Sequence, residues 1–327
     1  IALFSTDSVF IVRPQTFSIR RLYQAQALDD VSSIAPIYIA PGTWKNPWSN
    51  NRRSINVIGI DPEDDLLDAP GFSDGRLETL RQDAVLFDRR SRPEFGPVGD
   101  ALDTDGRLTT EINDREVDVV GTFTMGTSFG IDGLVITSDD NWLRLFPANA
   151  RNDIHLGLVE LVDGADANLV RDQLKEYLPA DVLVMTKQDF VERETAYWDS
   201  ATPIGYVFFF GAIMGFVVGA IIVYQILFAD VSEHLHEYAT LRAIGYTNWF
   251  VVGIVLQQAV ILALLGFIPG VLVANWLYGS AAAATSLPIY LTTDRAITVI
   301  VMTLTMCSIS AFLAVRKLRR LDPADVF

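Results

Sequence analysis

Hydrophobic and polar residues are mixed over short distances through the first two thirds of the chain, and then the pattern changes. Three unbroken apolar runs follow, Pro203 to Ala229, Phe250 to Tyr278 and Ala296 to Val315, and none contains a charged residue. Crossing a ~30 Å hydrocarbon core takes roughly 20 residues at helical rise. The runs therefore predict transmembrane helices at 203–229, 250–278 and 296–315.

Before Pro203 two stretches read as strand–helix–strand units. The first has a strand over Ser8–Val12, a helix over Phe17–Leu28 and a strand over Ser33–Ala40. The second has a strand over Ile154–Val162, a helix over Asp166–Leu178 and a strand over Val182–Thr186. In that second helix Leu169, Leu174, Tyr177 and Leu178 fall close to one apolar stripe. Gly164 marks the turn before it and Pro179 stops it. Between the units lie short β-branched runs at Ile55–Ile60, Ala84–Phe87, Glu116–Phe123 and Leu134–Thr137, separated by turn signals. The expected fold is an α+β domain over 1–202, two βαβ units with a β-rich insertion, followed by transmembrane α-helices. Lys187–Asp199 has strong helix formers and leads into the first apolar run. Pro203 either starts a new helix behind a Thr202 cap or bends one long helix.

Charge divides the chain at the same place. Of 25 basic and 40 acidic residues, 19 and 34 lie in residues 1–203, and the remainder carries six of each. That balance argues against nucleic acid and against polybasic attachment to anionic headgroups. Cys307 is the only cysteine and sits in the third apolar run, so no intrachain disulfide is possible. Arg316, Lys317, Arg319 and Arg320 close that run and, by the positive-inside rule, anchor this end in the cytoplasm. Counting back puts 1–202 outside the cytoplasm, with a cytoplasmic loop at 230–249, an external loop at 279–295 and a cytoplasmic tail at 316–327. The chain starts at Ile1 with no charged segment before an apolar leader. Export of the domain then predicts a further transmembrane helix ahead of Ile1. Tyr197, Trp198, Tyr206, Trp249, Phe250, Trp276 and Tyr278 fall near the ends of the first two runs, where aromatic rings favour the headgroup level.

Catalytic or metal-binding chemistry finds little support. His155 lies in a predicted strand and reads as structural. His234 and His236 are two apart, a spacing that puts them on different faces of a helix. Asp61-Pro-Glu-Asp-Asp65 could hold a hard cation through oxygens but reads better as a solvated turn. Asp103-Thr-Asp-Gly106 resembles a calcium loop, yet Ala101 and Ile112 occupy the first and twelfth ligand positions. An Asp-Gly hairpin turn explains it better. The sequence has no G-x-x-x-x-G-K-[ST], G-x-S-x-G or H-E-x-x-H. No cofactor, metal or catalytic residue is expected. With no ionisable residue in the apolar runs, a proton or ion relay is not expected either.

Two membrane-associated motifs carry more. Gly211, Gly215 and Gly219 form overlapping G-x-x-x-G steps, which let another helix approach closely. Val231, Leu235, Tyr238 and Leu241 recur at helical spacing in the loop between the first two runs, and Gly245 suits a C-cap. This short amphipathic helix carries Glu233 and Glu237 rather than the lysines of a bilayer-surface helix. A protein partner is the better expectation.

At these residues the chain resembles a known group. "EHLHEYATLRAIGYTN" is similar to the signature after the second helix of FtsX/MacB-type ABC transporter permeases, and "AVRKLRRLDPADVF" to their C-terminal tail. "RRLYQAQALDDVSSIAPIYIA", "WKNP", "VLFDRRSRPEFGP", "TSFGIDGLVITSD" and "TKQDFVERETAYW" look like the DevC-type permeases of cyanobacteria. The resemblance implies an inner-membrane permease that pairs as a homodimer and docks a separate ABC ATPase. It also implies a periplasmic membrane-fusion adaptor leading to a TolC-type outer-membrane channel. ATP-driven closure would reach the periplasmic domain through the membrane helices, with Glu233, Glu237, Tyr238, Leu241 and Arg242 as the ATPase-contacting residues. A glycolipid or other envelope lipid is the implied cargo. FtsX-like control of cell-wall hydrolases and Lol-type lipoprotein release are the alternatives.

Overall fold

The computed structural model describes residues 1–8, 14–64, 70–128, 130–197, 203–285, 287 and 289–318. The chain divides into two compact units, one containing Ile1–Trp198 and the other Asp199–Ala282 and Ile289–Phe327.

Among the described residues the first unit is built on one nine-stranded sheet. Its outer part uses β1 (Ala2–Ser5), then, after a two-residue strand β2 (Phe17–Ser18) and helix α1 (Arg20–Ala25), the long strand β3 (Val31–Lys45). The chain leaves for an insertion and returns by a short β9 (Asp153–Ile154), which pairs with β2, into β10 (Leu156–Leu161), helix α5 (Ala167–Tyr177) and β11 (Val182–Met185). The order is β11-β1-β10-β3, and every neighbouring pair is antiparallel. Each predicted βαβ unit is therefore split: β10 lies between β1 and β3, and β1 lies between β10 and β11. Interleaving the two units makes four strands from distant parts of the chain into one sheet.

Alternation along these strands separates two apolar faces. Leu3, Val159, Val182 and Val184 join Leu22 and Ala25 of α1 and Val170 and Leu174 of α5 in one core. Phe4, Ile37 and Leu156 belong to the other, where Phe190 packs from α6 (Lys187–Ala196). The Phe4 and Phe190 rings stack with centroids 5.2 Å apart. On α5 the buried stripe is Val170, Leu174 and, just beyond the helix, Leu178. Leu169 and Tyr177, expected on it, face solvent. The i, i+4, i+8 row starting at Val170 makes a narrower stripe than the one read from leucines alone.

The insertion supplies β4 (Arg52–Ile60), a one-turn helix α2 (Phe72–Gly75), β5 (Ala84–Asp88), α3 (Val98–Asp105), β6 (Leu108–Ile112), β7 (Arg115–Phe123), β8 (Leu134–Ser138) and α4 (Asp139–Leu145). The sheet continues β3-β4-β8-β5-β7-β6, with β4–β8 and β5–β7 parallel. Closure comes from β6 pairing back onto β3, Trp44 opposite Ile112 and Lys45 opposite Glu111. The inserted lobe is thus a closed ring of six strands with no free edge between them. β3 belongs to both parts. Its residues 31–37 pair with β10 and its residues 38–45 with β4.

β3 runs through Pro41 to Lys45, past Ala40, the expected end of the strand. Pro36 and Pro41 both sit where β3 is paired on one side only, so a missing N–H breaks no ladder on the other. Phe17–Leu28 holds a shorter helix than expected, because Phe17 and Ser18 pair with β9. Asp103–Gly106 is not a hairpin turn. Asp103 and Asp105 belong to α3, and Gly106, at φ +68°, ends it with its N–H bonded to Leu102. The hairpin turn falls instead at Asn113 and Asp114, both at positive φ, between β6 and β7. The expected strand over Ser8–Val12 falls largely outside the described residues; the observed first strand is β1.

Candidate functional site

The second unit contains α7 (Pro203–Glu233), α8 (Leu235–Ala243), α9 (Asn248–Thr285) and α10 (Thr293–Leu318). Three of them are long and apolar enough to cross a membrane, over Gly205–Glu233, Trp249–Thr285 and Thr293–Arg316. α7 begins with Pro203, whose fixed φ and missing N–H suit a first helical turn. Thr202 and Trp198 to Ser200 lie outside the described residues, and with them the continuity of α6 and α7. α7 runs on to Glu233, beyond the end of the uncharged run at Ala229. Polar side chains end a membrane run without ending a helix. α9 passes through Pro269, which removes the N–H that would bond Leu265.

Small side chains set the packing of the bundle. Ala259 and Ala263 of α9 and Cys307, Ala311 and Ala314 of α10 are buried with Leu227, Val231, Val255 and Val315. In lipid no hydrophobic force drives helices together, so close backbone approach and interhelical hydrogen bonds do. Ser310 Oγ donates to the Ala220 carbonyl of α7 at 2.9 Å. One turn away, a Cβ placed on Gly219 would stand 2.8 Å from Met306 Sδ. Gly219 of the predicted ladder thus packs within the chain. Gly211 and Gly215 have no neighbouring atom within 4 Å of a Cβ position.

The last turn of α7 and α8 together turn the amphipathic pattern into two faces. Val231 is buried, Leu235, Tyr238 and Leu241 are half-buried, and Glu233, Glu237 and Thr240 are exposed. Tyr238 packs against the core of the bundle. Of the five residues expected to meet an ATPase, Glu233 and Glu237 face outward, Tyr238 and Leu241 lie on the inner stripe, and Arg242 is on α8. The helix that carries them is interrupted at His234, between α7 and α8. His234 Nδ1 lies 2.9 Å from the Asp230 carbonyl. That hydrogen bond, with Glu237, Asp230 and Glu233 nearby, raises the imidazole pKa above its usual value. α8 ends as expected: Gly245 has φ +110°, and the Tyr246 N–H reaches back to the Leu241 carbonyl at 3.2 Å. The Tyr246 and Phe250 rings stack beyond it at 4.5 Å, and Ile244 and Trp249 are exposed beside them.

The basic cluster is split. Arg316 is exposed on α10, Lys317 lies in the last turn of α10, and Arg319 and Arg320 fall outside the described residues.

In the first unit the candidate metal motifs find structural uses. Asp61 Oδ1 accepts from the Glu63 N–H in a tight turn, and Asp65 lies outside the described residues. Asp103 makes a two-point ion pair with Arg89. His155 is buried edge-on against Trp142, and burial pulls its pKa down to about 4. Among the described residues no three or more His, Cys, Asp or Glu side chains gather as a metal site. One buried acid escaped the sequence reading. Asp88, at the end of β5, accepts from the N–H groups of Arg90, Met125 and Gly126 and so fixes the loop after β7. The acidic cluster of charge gave no hint of it, since its partners are all main-chain.

Comparison with known families gives two matches. Residues 2–177, more than half of the chain, match the MacB-like periplasmic core domain. Residues 208–323 match the FtsX-like permease C-terminal region. Among solved structures, the periplasmic region of MacB from Actinobacillus actinomycetemcomitans is 15% identical, over 58% of this chain and 90% of that one, with a TM-score of 0.42. The extracellular domain of the noncanonic ABC-type transporter YknZ from Gram-positive bacteria is 18% identical, over 57% and 99%, with a TM-score of 0.35. At those scores neither structure adds to the family matches. No curated protein matches the chain.

Proposed function

The chain belongs to the MacB-like periplasmic core domain family, with an FtsX-like permease region behind it, and on that footing we propose that it is the permease subunit of a tripartite ABC exporter. In this reading the first unit is periplasmic, the helices lie in the inner membrane, and α8 is the cytoplasmic coupling helix. A separate ATPase docks on α8, and the permease works as a homodimer. A periplasmic adaptor and a TolC-type channel complete the route. The cargo we infer is an envelope lipid, glycolipid foremost, in keeping with the resemblance to DevC-type permeases.

The observation that carries the reading is the two-faced segment made by the last turn of α7 and by α8. The apolar stripe across the α7–α8 junction is held by the bundle through Val231 of α7 and Tyr238 of α8, while Glu233 of α7 and Glu237 of α8 stay exposed. A force on the acidic face therefore reaches α7 and α9 through packed side chains. In this reading ATP hydrolysis belongs to a separate subunit.

The test reverses both charges, Glu233→Lys with Glu237→Lys, in the chain co-expressed with its partner ABC ATPase. Loss of co-purification and of stimulated ATP hydrolysis is the expected result. If both survive, α8 is not the coupling element. The FtsX-like match also admits a regulator of cell-wall hydrolases. Lipid analysis of the envelope after gene deletion separates the two, because only the exporter reading expects a missing lipid.

A further inference from the structure

A concave groove of about 570 Å³ runs between α7 and α10. That lies within the roughly 300–1,000 Å³ span of small-ligand sites. Its floor is made of small residues, Ala220 and Ser310, which the Ser310–Ala220 hydrogen bond holds together. Its apolar walls are Ile221 and Tyr224 on α7 and Ile309 and Leu313 on α10. Ile221, Ile309 and Leu313 are each about half exposed, so the groove opens away from the bundle core.

The two helices run in the same direction, since Gly219 meets Met306 and Ala220 meets Ser310. Arg316 therefore stands at one end of the groove and lines it. It is the last residue of the third membrane-length segment, at the level where hydrocarbon gives way to headgroups. Arg316 is exposed and makes no ion pair among the described residues. Bulk lipid could fill such a groove, and Arg316 could serve as an anchor alone. The combination of a small-residue floor, long apolar walls and a charge at one end asks for more than that. It matches an amphiphile with an acyl chain and an anionic head. Basic pockets between membrane helices hold anionic headgroups in this way, and a guanidinium suits a phosphate through paired N–H groups.

We propose that this groove is a binding site for a single anionic phospholipid, one acyl chain lying over Ala220 and Ser310 and the phosphate resting on Arg316. The site is separate from α8 and does not depend on the exporter reading; a regulator with the same bundle would carry it too. A lipid seated there joins α7 to α10 along the face that the Ser310 bond already pins.

The experiment uses the full chain in mild detergent, delipidated and then titrated with phosphatidylglycerol or phosphatidylcholine, with bound lipid counted by native mass spectrometry. One phosphatidylglycerol per chain, held at least tenfold more tightly than phosphatidylcholine, is expected. Arg316→Gln should abolish that preference and Arg316→Lys should restore most of it. Ala220→Leu, which raises the floor, should weaken both lipids while the helical content stays unchanged. Equal binding of the two lipids, or an unchanged preference in Arg316→Gln, overturns the proposal. So does covalent pairing of two chains through Ile221→Cys, because a second copy would then occupy the groove.

Discussion

The hydroxyl of Ser310 on α10 donates a hydrogen bond to the carbonyl of Ala220 on α7, 90 residues earlier and 2.9 Å away. The carbonyl also serves α7's own ladder, so the bond is an addition to the helix rather than a repair. Its removal in Ser310→Ala should cost about 0.6 kcal/mol, the average for interhelical bonds in membranes. Gly219→Leu should cost more, about 1–3 kcal/mol, because it overpacks the space against Met306. Buried Cys307 beside Met306 reports both. Maleimide labelling of Cys307 in detergent should speed up slightly in the first variant and strongly in the second. Gly219→Leu combined with Met306→Ala should bring it back toward the parent rate.

His155 makes the first unit acid-sensitive. Burial lowers its pKa from 6.5 to about 4, so the folded chain resists protonation that the unfolded chain accepts. The stability this neutral ring contributes is complete above pH 6.5 and falls as the pH drops through 6.5 to about 4, by at most about 3 kcal/mol. Hydrogen exchange of the β10 amides should accelerate across that window. His155→Phe should flatten the response.

Asp88→Asn keeps the size of the side chain and removes its charge. One of its two ends then turns an NH₂ group toward main-chain donors that the carboxylate had accepted. The loss should be about 2 kcal/mol, in the range of hydrogen bonds to charged groups. The loop at Met125 and Gly126 should become the first site of limited proteolysis.

α6 starts with a reciprocal cap. Thr186 Oγ1 accepts from the Asp189 N–H, and Asp189 returns to the Thr186 N–H. Asp189 also takes Arg171 from α5. These bonds hold its carboxyl down at about 2, so the cap persists to low pH and weakens only as the pH falls below the ordinary carboxylate range. Thr186→Ala should cost about 1 kcal/mol, seen as roughly fivefold faster exchange in the first turn of α6.

The parts of this fold that announce themselves in the sequence are those set by local pattern. Membrane-length helices follow from unbroken apolar runs. The stripe across the end of α7 and α8 follows from the spacing of Val231, Leu235, Tyr238 and Leu241. What the sequence hides depends on distant partners. β3 outlasts Pro41 because its other edge is unpaired there, and Trp44 meets Ile112 across nearly seventy residues with no local signal. The three ladder glycines look alike in sequence, yet only Gly219 has Met306 against it. Asp88 reads as one acid among many because the groups it binds carry no side-chain signature.

The first strand of the chain has no partner near it in sequence. β1 pairs with β10 and β11, which arrive more than 150 residues later, after the whole six-stranded ring. Such long-range pairing makes folding slow, since the loop must close before any contact rewards it. The ring lies wholly between β1 and β10 in sequence, and once formed it brings the ends of the loop close. A cut or insertion inside the ring should thus delay the seating of β1 far more than its own local damage suggests. During that delay β1 and the outer edge of β10 are unpaired strands, open to wrong partners.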